Sequence, residues 1–135
     1  MFLVDTNVFS ETRKRRVDPC VERWFAATPA SQIHMSVITD FELERGMLLV
    51  QHRDPAQATA LRRWVDSVRT GLRNPMLEVT PEIARVCAAI QVPHRRPLED
   101  ALLAATALHH DLTVVTRNVK DFDVPGLRVI DPFST

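Results

Sequence analysis

The chain predicts an α/β fold, with a central, mostly parallel sheet and helices packed on its faces. Short apolar runs alternate with longer segments whose apolar residues recur at three- and four-residue spacing, as strands and crossover helices do. No repeat, low-complexity tract or linker interrupts the 135 residues, so a single domain over 1–135 is expected, long enough for a hydrophobic core. Hydrophobic residues at 45% and charged residues at 25% are ordinary globular values.

Phe2-Leu3-Val4 reads as a short buried strand that runs straight into Asp5-Thr6-Asn7, with a helical stretch to about Arg13. Asp18-Pro19 pairs a capping side chain with proline at the first helical position and opens a helix carrying Val21, Trp24 and Phe25. Gln32 to Ser36 reads as a second strand anchored by Ile33, and a long helix should run from Val37 to about His52. Asp54-Pro55 repeats the cap-and-proline signal for a helix whose Leu61, Trp64, Val65 and Val68 share one face; Gly71 and Asn74-Pro75 end it. Met76 to Val79 reads as a short strand, and Thr80-Pro81-Glu82 opens a helix to about Val92. Pro93 and Pro97 bracket a basic loop. Leu98 to His110 is the next helix, Leu112 to Thr116 a strand, and Leu127 to Ile130 the last strand.

Lysine plus arginine and aspartate plus glutamate both number 17, so no overall field draws the chain to nucleic acid. Polyanion binding would rest on local clusters, Arg13-Lys14-Arg15-Arg16 and His94-Arg95-Arg96, although such clusters are more often just solvated surface. Cys20 and Cys87 form no C-x-x-C pattern, and Cys87 reads as a small core residue, so a reducing cytoplasm is the expected setting. Asp5 and Glu11 preclude a secretory apolar region after Met1, and no apolar run reaches the ~18 residues needed to span a bilayer.

Three acids stand where a core would want apolar atoms. Asp5 ends a strand, and the carboxyl ends of strands open onto the ligand crevice of an α/β sheet; alternatively, it only caps the following helix. Glu42 lies on a helical row with Ile38 and Leu49, whereas Asp40 and Glu44 share a different face. A carboxylate turned inward is costly unless paired or metal-bound, and the structural alternative is a salt bridge to Arg45. Asp100 sits in the first turn of a nearly all-apolar helix, where the helix dipole alone would favour it. Thr116-Arg117-Asn118-Val119-Lys120-Asp121 follows a strand that should neighbour the first, so Asn118 could supply an oxygen ligand and Asp121 a supporting acid, or a plain turn residue. Hard cations such as Mg²⁺ take oxygen ligands, and such a site suits phosphodiester hydrolysis. Competing chemistries lack their motifs: no glycine-rich phosphate loop, no H-E-x-x-H or Cys/His zinc spacing, no G-x-S-x-G elbow.

Leu3-Val4-Asp5-Thr6-Asn7, Ser36-Val37-Ile38-Thr39 before Phe41-Glu42-Leu43, Asp100-Ala101-Leu102-Leu103-Ala104-Ala105-Thr106-Ala107 and Val115-Thr116-Arg117-Asn118-Val119-Lys120-Asp121-Phe122 together resemble the PIN-domain ribonucleases, and more closely the VapC-type toxins of bacterial toxin–antitoxin pairs. The resemblance spans the chain in order and length. It implies a three-layer α/β/α fold and a metal-dependent endoribonuclease in which Asp5, Glu42 and Asp100 bind Mg²⁺ or Mn²⁺, with Thr6 and Thr116 as polar supports. Many relatives carry an acid at the Asn118 position; asparagine there argues against a tightly held second metal, for which Asp121 would partly compensate. Arg13, Arg15, Arg95, Arg96 and Arg117 become phosphate-contact candidates, and cleavage should leave 5′-phosphate and 3′-hydroxyl ends. The resemblance also implies a homodimer and an antitoxin that blocks the acidic cleft and carries the DNA-binding half. Two other readings stand beside it. One is a phosphatase with Asp5 as aspartyl nucleophile, disfavoured by asparagine at position 7 where that chemistry wants an acid. The other is a non-catalytic RNA- or partner-binding module.

Overall fold

The structure, a computed structural model, describes residues 1–134. Four strands, β1 (Phe2–Val4), β2 (Ile33–His34), β3 (Thr113–Val115) and β4 (Val129–Ile130), form one parallel sheet in the order β2-β1-β3-β4. β1 therefore lies inside the sheet, with Leu3 opposite His34 on one side and Val114 on the other. The α-helices are α1 (Thr6–Glu11), α2 (Pro19–Ala27), α3 (Val37–Arg53), α4 (Pro55–Gly71), α5 (Pro81–Ile90) and α6 (Leu98–His110).

Alternation along the strands builds the layers. Val4 and Val115 face a core with Val8, Phe9, Val21, Leu43, Met47 and Val65 from α1 to α4. Leu3 and Val114 face the other way, onto Leu103, Ala104 and Ala107 of α6. Small residues let α6 approach the sheet closely, and its Ala101 and Ala105 take Ile83 and Cys87 of α5 on the far side. The result is a three-layer α/β/α arrangement.

The predicted caps form as the chemistry requires. Asp18, Asp54 and Thr80 each accept a hydrogen bond from a backbone N–H of the first turn, with proline at the helix start. α3 and α4 are also tied by Arg69, whose guanidinium reaches Asp40 and Glu44 at 2.6 Å each and Asp66 at 3.8 Å. Among the described residues no helix is long and apolar enough to cross a membrane.

Three expectations need correction. The first helix stops at Glu11, short of Arg13, because the Thr12 hydroxyl donates to the Phe9 carbonyl at 2.6 Å and takes up one of the groups that end the helix. The later strands are shorter than expected, two residues each for β2 and β4 and three, Thr113–Val115, for β3. Met76 to Val79 is not a strand. Leu77 makes a single parallel bridge to Ser36, donating to the Met35 carbonyl (2.9 Å) and accepting from Val37 N–H (3.0 Å). Beyond Ser36 the neighbouring chain turns into α3, so there is no further backbone for this segment to pair with.

Candidate active site

β1 and β3 end side by side, Val4 opposite Val115, so the next residues, Asp5 and Thr116, emerge together at the carboxyl rim of the sheet. The Thr116 hydroxyl donates to Asp5 Oδ2 at 2.8 Å, and Asn7 Nδ2 donates to the same oxygen at 3.2 Å. Thr6 N–H donates to Oδ1 at 2.7 Å, so Asp5 is also the cap of α1. Asp5 thus stands at the rim of the sheet and caps α1 at once. Burial pushes the Asp5 carboxyl upward from its ordinary pKa, its hydrogen bonds pull it back, and the charge of Asp121 adds to the rise.

Glu42 projects from α3 and accepts the Thr6 hydroxyl at 2.8 Å. Its pKa is raised, first by burial and then by Asp5 and Glu99. Arg45, the alternative partner, instead reaches Glu99 at 3.6 Å and lies 4.9 Å from the Phe41 ring centre. The row around Glu42 is only partly turned inward, because Leu49 is exposed. Asp100 lies in the first turn of α6, which starts at Pro97 without a side-chain cap. Its carboxyl is pushed up to about 6, chiefly by burial and further by Asp5, Asp121, Glu42 and Glu99. Asp121 is exposed on a 3₁₀ turn, Val119–Phe122, that follows β3.

Asp5, Glu42, Asp100 and Asp121 thus share one field, and among the described residues none of them is in an ion pair. Nor do any three His, Cys, Asp or Glu among the described residues converge tightly enough to enclose a bare cation. The donor set nonetheless fits a hard one. Mg²⁺ keeps several waters and takes one or two carboxylates directly, so oxygens farther apart can act through its hydration shell. Asp100, which accepts no hydrogen bond among the described residues, has its oxygens free for that role.

The remaining candidates divide. Asn118 is exposed and engages the site through its backbone, its N–H donating to Thr116 Oγ1 at 3.1 Å. Arg117 turns its guanidinium onto Phe133, 4.4 Å from the ring centre. Arg96 reaches the Asp123 carbonyl at 2.8 Å and lines a separate depression with Leu108 and Val124, and Arg95 is exposed in the same loop. Arg15 is exposed beyond α1, while Arg13 lines a depression together with Thr6 and Glu42. Sequence reasoning gave Asn7 no supporting role. Besides holding Asp5, its Nδ2 donates to Thr116 Oγ1 (3.3 Å) and its Oδ1 accepts Arg117 N–H (3.1 Å), so one amide ties the two strand ends together. Only its place two residues after a strand-end acid hints at that role.

Residues 2–125 match the PIN domain family. The chain is 28% identical over 138 residues to VapC ribonuclease Y4jK of Sinorhizobium fredii, covering 98% of each. It superposes on the crystal structure of FitAcB from Neisseria gonorrhoeae with a TM-score of 0.90 at 26% identity over 100% of both chains. On a toxin–antitoxin complex from Klebsiella pneumoniae it superposes with a TM-score of 0.67 at 27% identity over 98% of both.

Proposed function

This chain belongs to the PIN-domain family, and we propose that it is a VapC-type endoribonuclease, the toxin of a toxin–antitoxin pair, hydrolysing RNA phosphodiester bonds with Mg²⁺ or Mn²⁺. The observation that carries the reading is the carboxylate rim itself: the acids after β1 and on α3 and α6 are raised in pKa, first by burial and then by neighbouring carboxylates, and among the described residues none of them is in an ion pair. Burying like charges without a counter-ion is unfavourable for a fold and useful for a cation site. The named ribonuclease among the relatives supports the activity, and the Klebsiella complex supports an antitoxin partner.

In this reading Asp5, Glu42 and Asp100 hold the cation. Asn7 and Thr116 fix the Asp5 carboxylate by two donors on one oxygen, leaving its orientation little freedom. Thr6 couples Asp5 to Glu42, its N–H on one and its hydroxyl on the other. Asp121 adds negative charge at the open side. A bound divalent ion supplies Lewis-acid stabilisation of the phosphate and a water of lowered pKa. The protein works in the cytoplasm as a homodimer, and its antitoxin occupies the acidic cleft and contributes the DNA-binding part.

Asp100→Asn and Asp5→Asn test the assignment. Each variant should fold as the parent and lose RNA cleavage in Mg²⁺ and Mn²⁺, together with the calorimetric heat of Mn²⁺ binding. Cleavage at the parental rate by either variant defeats it.

A further inference from the structure

A groove leaves the acidic rim between α1, α3 and α4. Its inner part, a cavity of about 160 Å³, is lined by Thr6, Glu42 and Gly46, and its outer part, about 330 Å³, by Arg53 and Gln57. Arg13, Val50, Leu61 and Trp64 line both, so the two are one continuous path running from the carboxylates to a basic mouth.

Two features of this path answer to no packing contact or ion pair among the described residues. Gly46 stands in the middle of α3, where glycine is among the least favourable residues. A Cβ there would meet nothing within 4 Å, so packing does not demand glycine, and the floor of the groove is bare backbone. At the mouth, Arg13 and Arg53 are exposed, and among the described residues neither is in an ion pair. Between mouth and floor sits the half-buried Trp64, its Nε1–H donating to Thr12 Oγ1 at 3.2 Å, which fixes the ring's edge.

We propose that this groove is the lane along which single-stranded RNA reaches the acidic rim: phosphates at Arg13 and Arg53, a base stacked on Trp64, and the strand passing over Gly46. Unpaired guanidinium groups select a polyanion over a neutral or basic polypeptide. A recessed path with one indole suits splayed bases, which stack on aromatic rings, whereas a duplex is read by shape across its minor groove. The destination of the strand rests on the nuclease reading; its binding does not, and the two are measured apart.

The experiment uses full-length Asp100→Asn protein, so that RNA is held rather than cut, and a fluorescein-labelled mixed-sequence RNA of about a dozen nucleotides, followed by anisotropy. Arg53→Gln and Gly46→Leu, each added to that background, should weaken binding by about fivefold or more, and Arg53→Gln should lower the slope of log K against log salt by about 0.7. Gly46→Leu should melt no lower than its parent, which separates a blocked groove from an unfolded one. Trp64→Phe should remove the tryptophan quenching seen on RNA addition, leaving the signal of Trp24. RNA affinity within twofold of the parent in both groove variants, or no binding by the parent, overturns the lane and leaves the groove to a polypeptide. A wild-type protein that binds RNA through Arg53 and Gly46 yet cuts none in Mg²⁺ or Mn²⁺ overturns the nuclease reading alone.

Discussion

Two acidic clusters share helix α3 and have opposite characters. On one side Asp40 and Glu44 close around Arg69, with Asp66 nearby, and the guanidinium converts three carboxylates into a tie between α3 and α4. On the other, Glu42 joins Asp5, Asp100 and Asp121 without an ion pair among the described residues, and burial pushes the Asp5, Glu42 and Asp100 carboxyls upward in pKa. The residue types are the same and Glu42 lies only two positions from both Asp40 and Glu44. What differs is the counter-ion. A cluster that brings its own is structure, and a cluster that leaves it out is poised for one from solution.

The comparison breaks first on activity. Asp100→Asn should cut RNA cleavage by at least ~100-fold, because even groups that merely orient a metal ligand are worth about 10–100-fold; Asp66→Asn in the paired cluster should leave the rate unchanged in the same gel assay. Next comes stability: Arg69→Met leaves two half-buried carboxylates without their partner and should cost roughly 1–2 kcal/mol in urea unfolding. If it costs nothing, the paired cluster is ornament and the contrast fails. Thr116→Val removes one donor from Asp5 and should lower cleavage by about tenfold with the fold intact.

The smallest effect sharpens the contrast through pH. Asp100 has a folded pKa of about 6, raised above its ordinary value of 3.8, so the folded state binds the proton more tightly than the unfolded chain. Stability from this group is full below the unfolded value and is lost as pH rises through about 6. Metal-free protein should therefore be less stable at pH 7 than at pH 4.5 by about 1 kcal/mol on this account, after allowance for solvent screening. Asp100→Asn should flatten that dependence, and millimolar Mg²⁺ should reverse it. Thermal melts across this range, with and without the cation, read both.

The elements legible in the sequence were those whose burial is local in cause. β1 and α6 announce themselves by apolar content, and each proline-flanked cap names its helix. Met76 to Val79 misled because its composition suits a strand while the segment it bridges, at Ser36, leaves the sheet to begin α3. The acids of the rim were legible because inward carboxylates are unusual enough to notice singly. Asn7 was not, since its role comes from Thr116 and Arg117, 109 and 110 residues away, which only the pairing of β1 with β3 brings near. Arg69 escaped for the same reason: nothing local marks which of seventeen basic residues will sit among acids.

The interior position of β1 has a consequence for how the protein is made. The strand that leads to Asp5 is translated well before β3, yet the hydroxyl that fixes this carboxylate lies 111 residues downstream. Until β3 has emerged, β1 lacks one of its two flanking strands and the rim has no second wall. The carboxylate rim therefore assembles only after β3 has been translated, and a nascent chain that stops short of Thr116 holds Asp5 without its second wall.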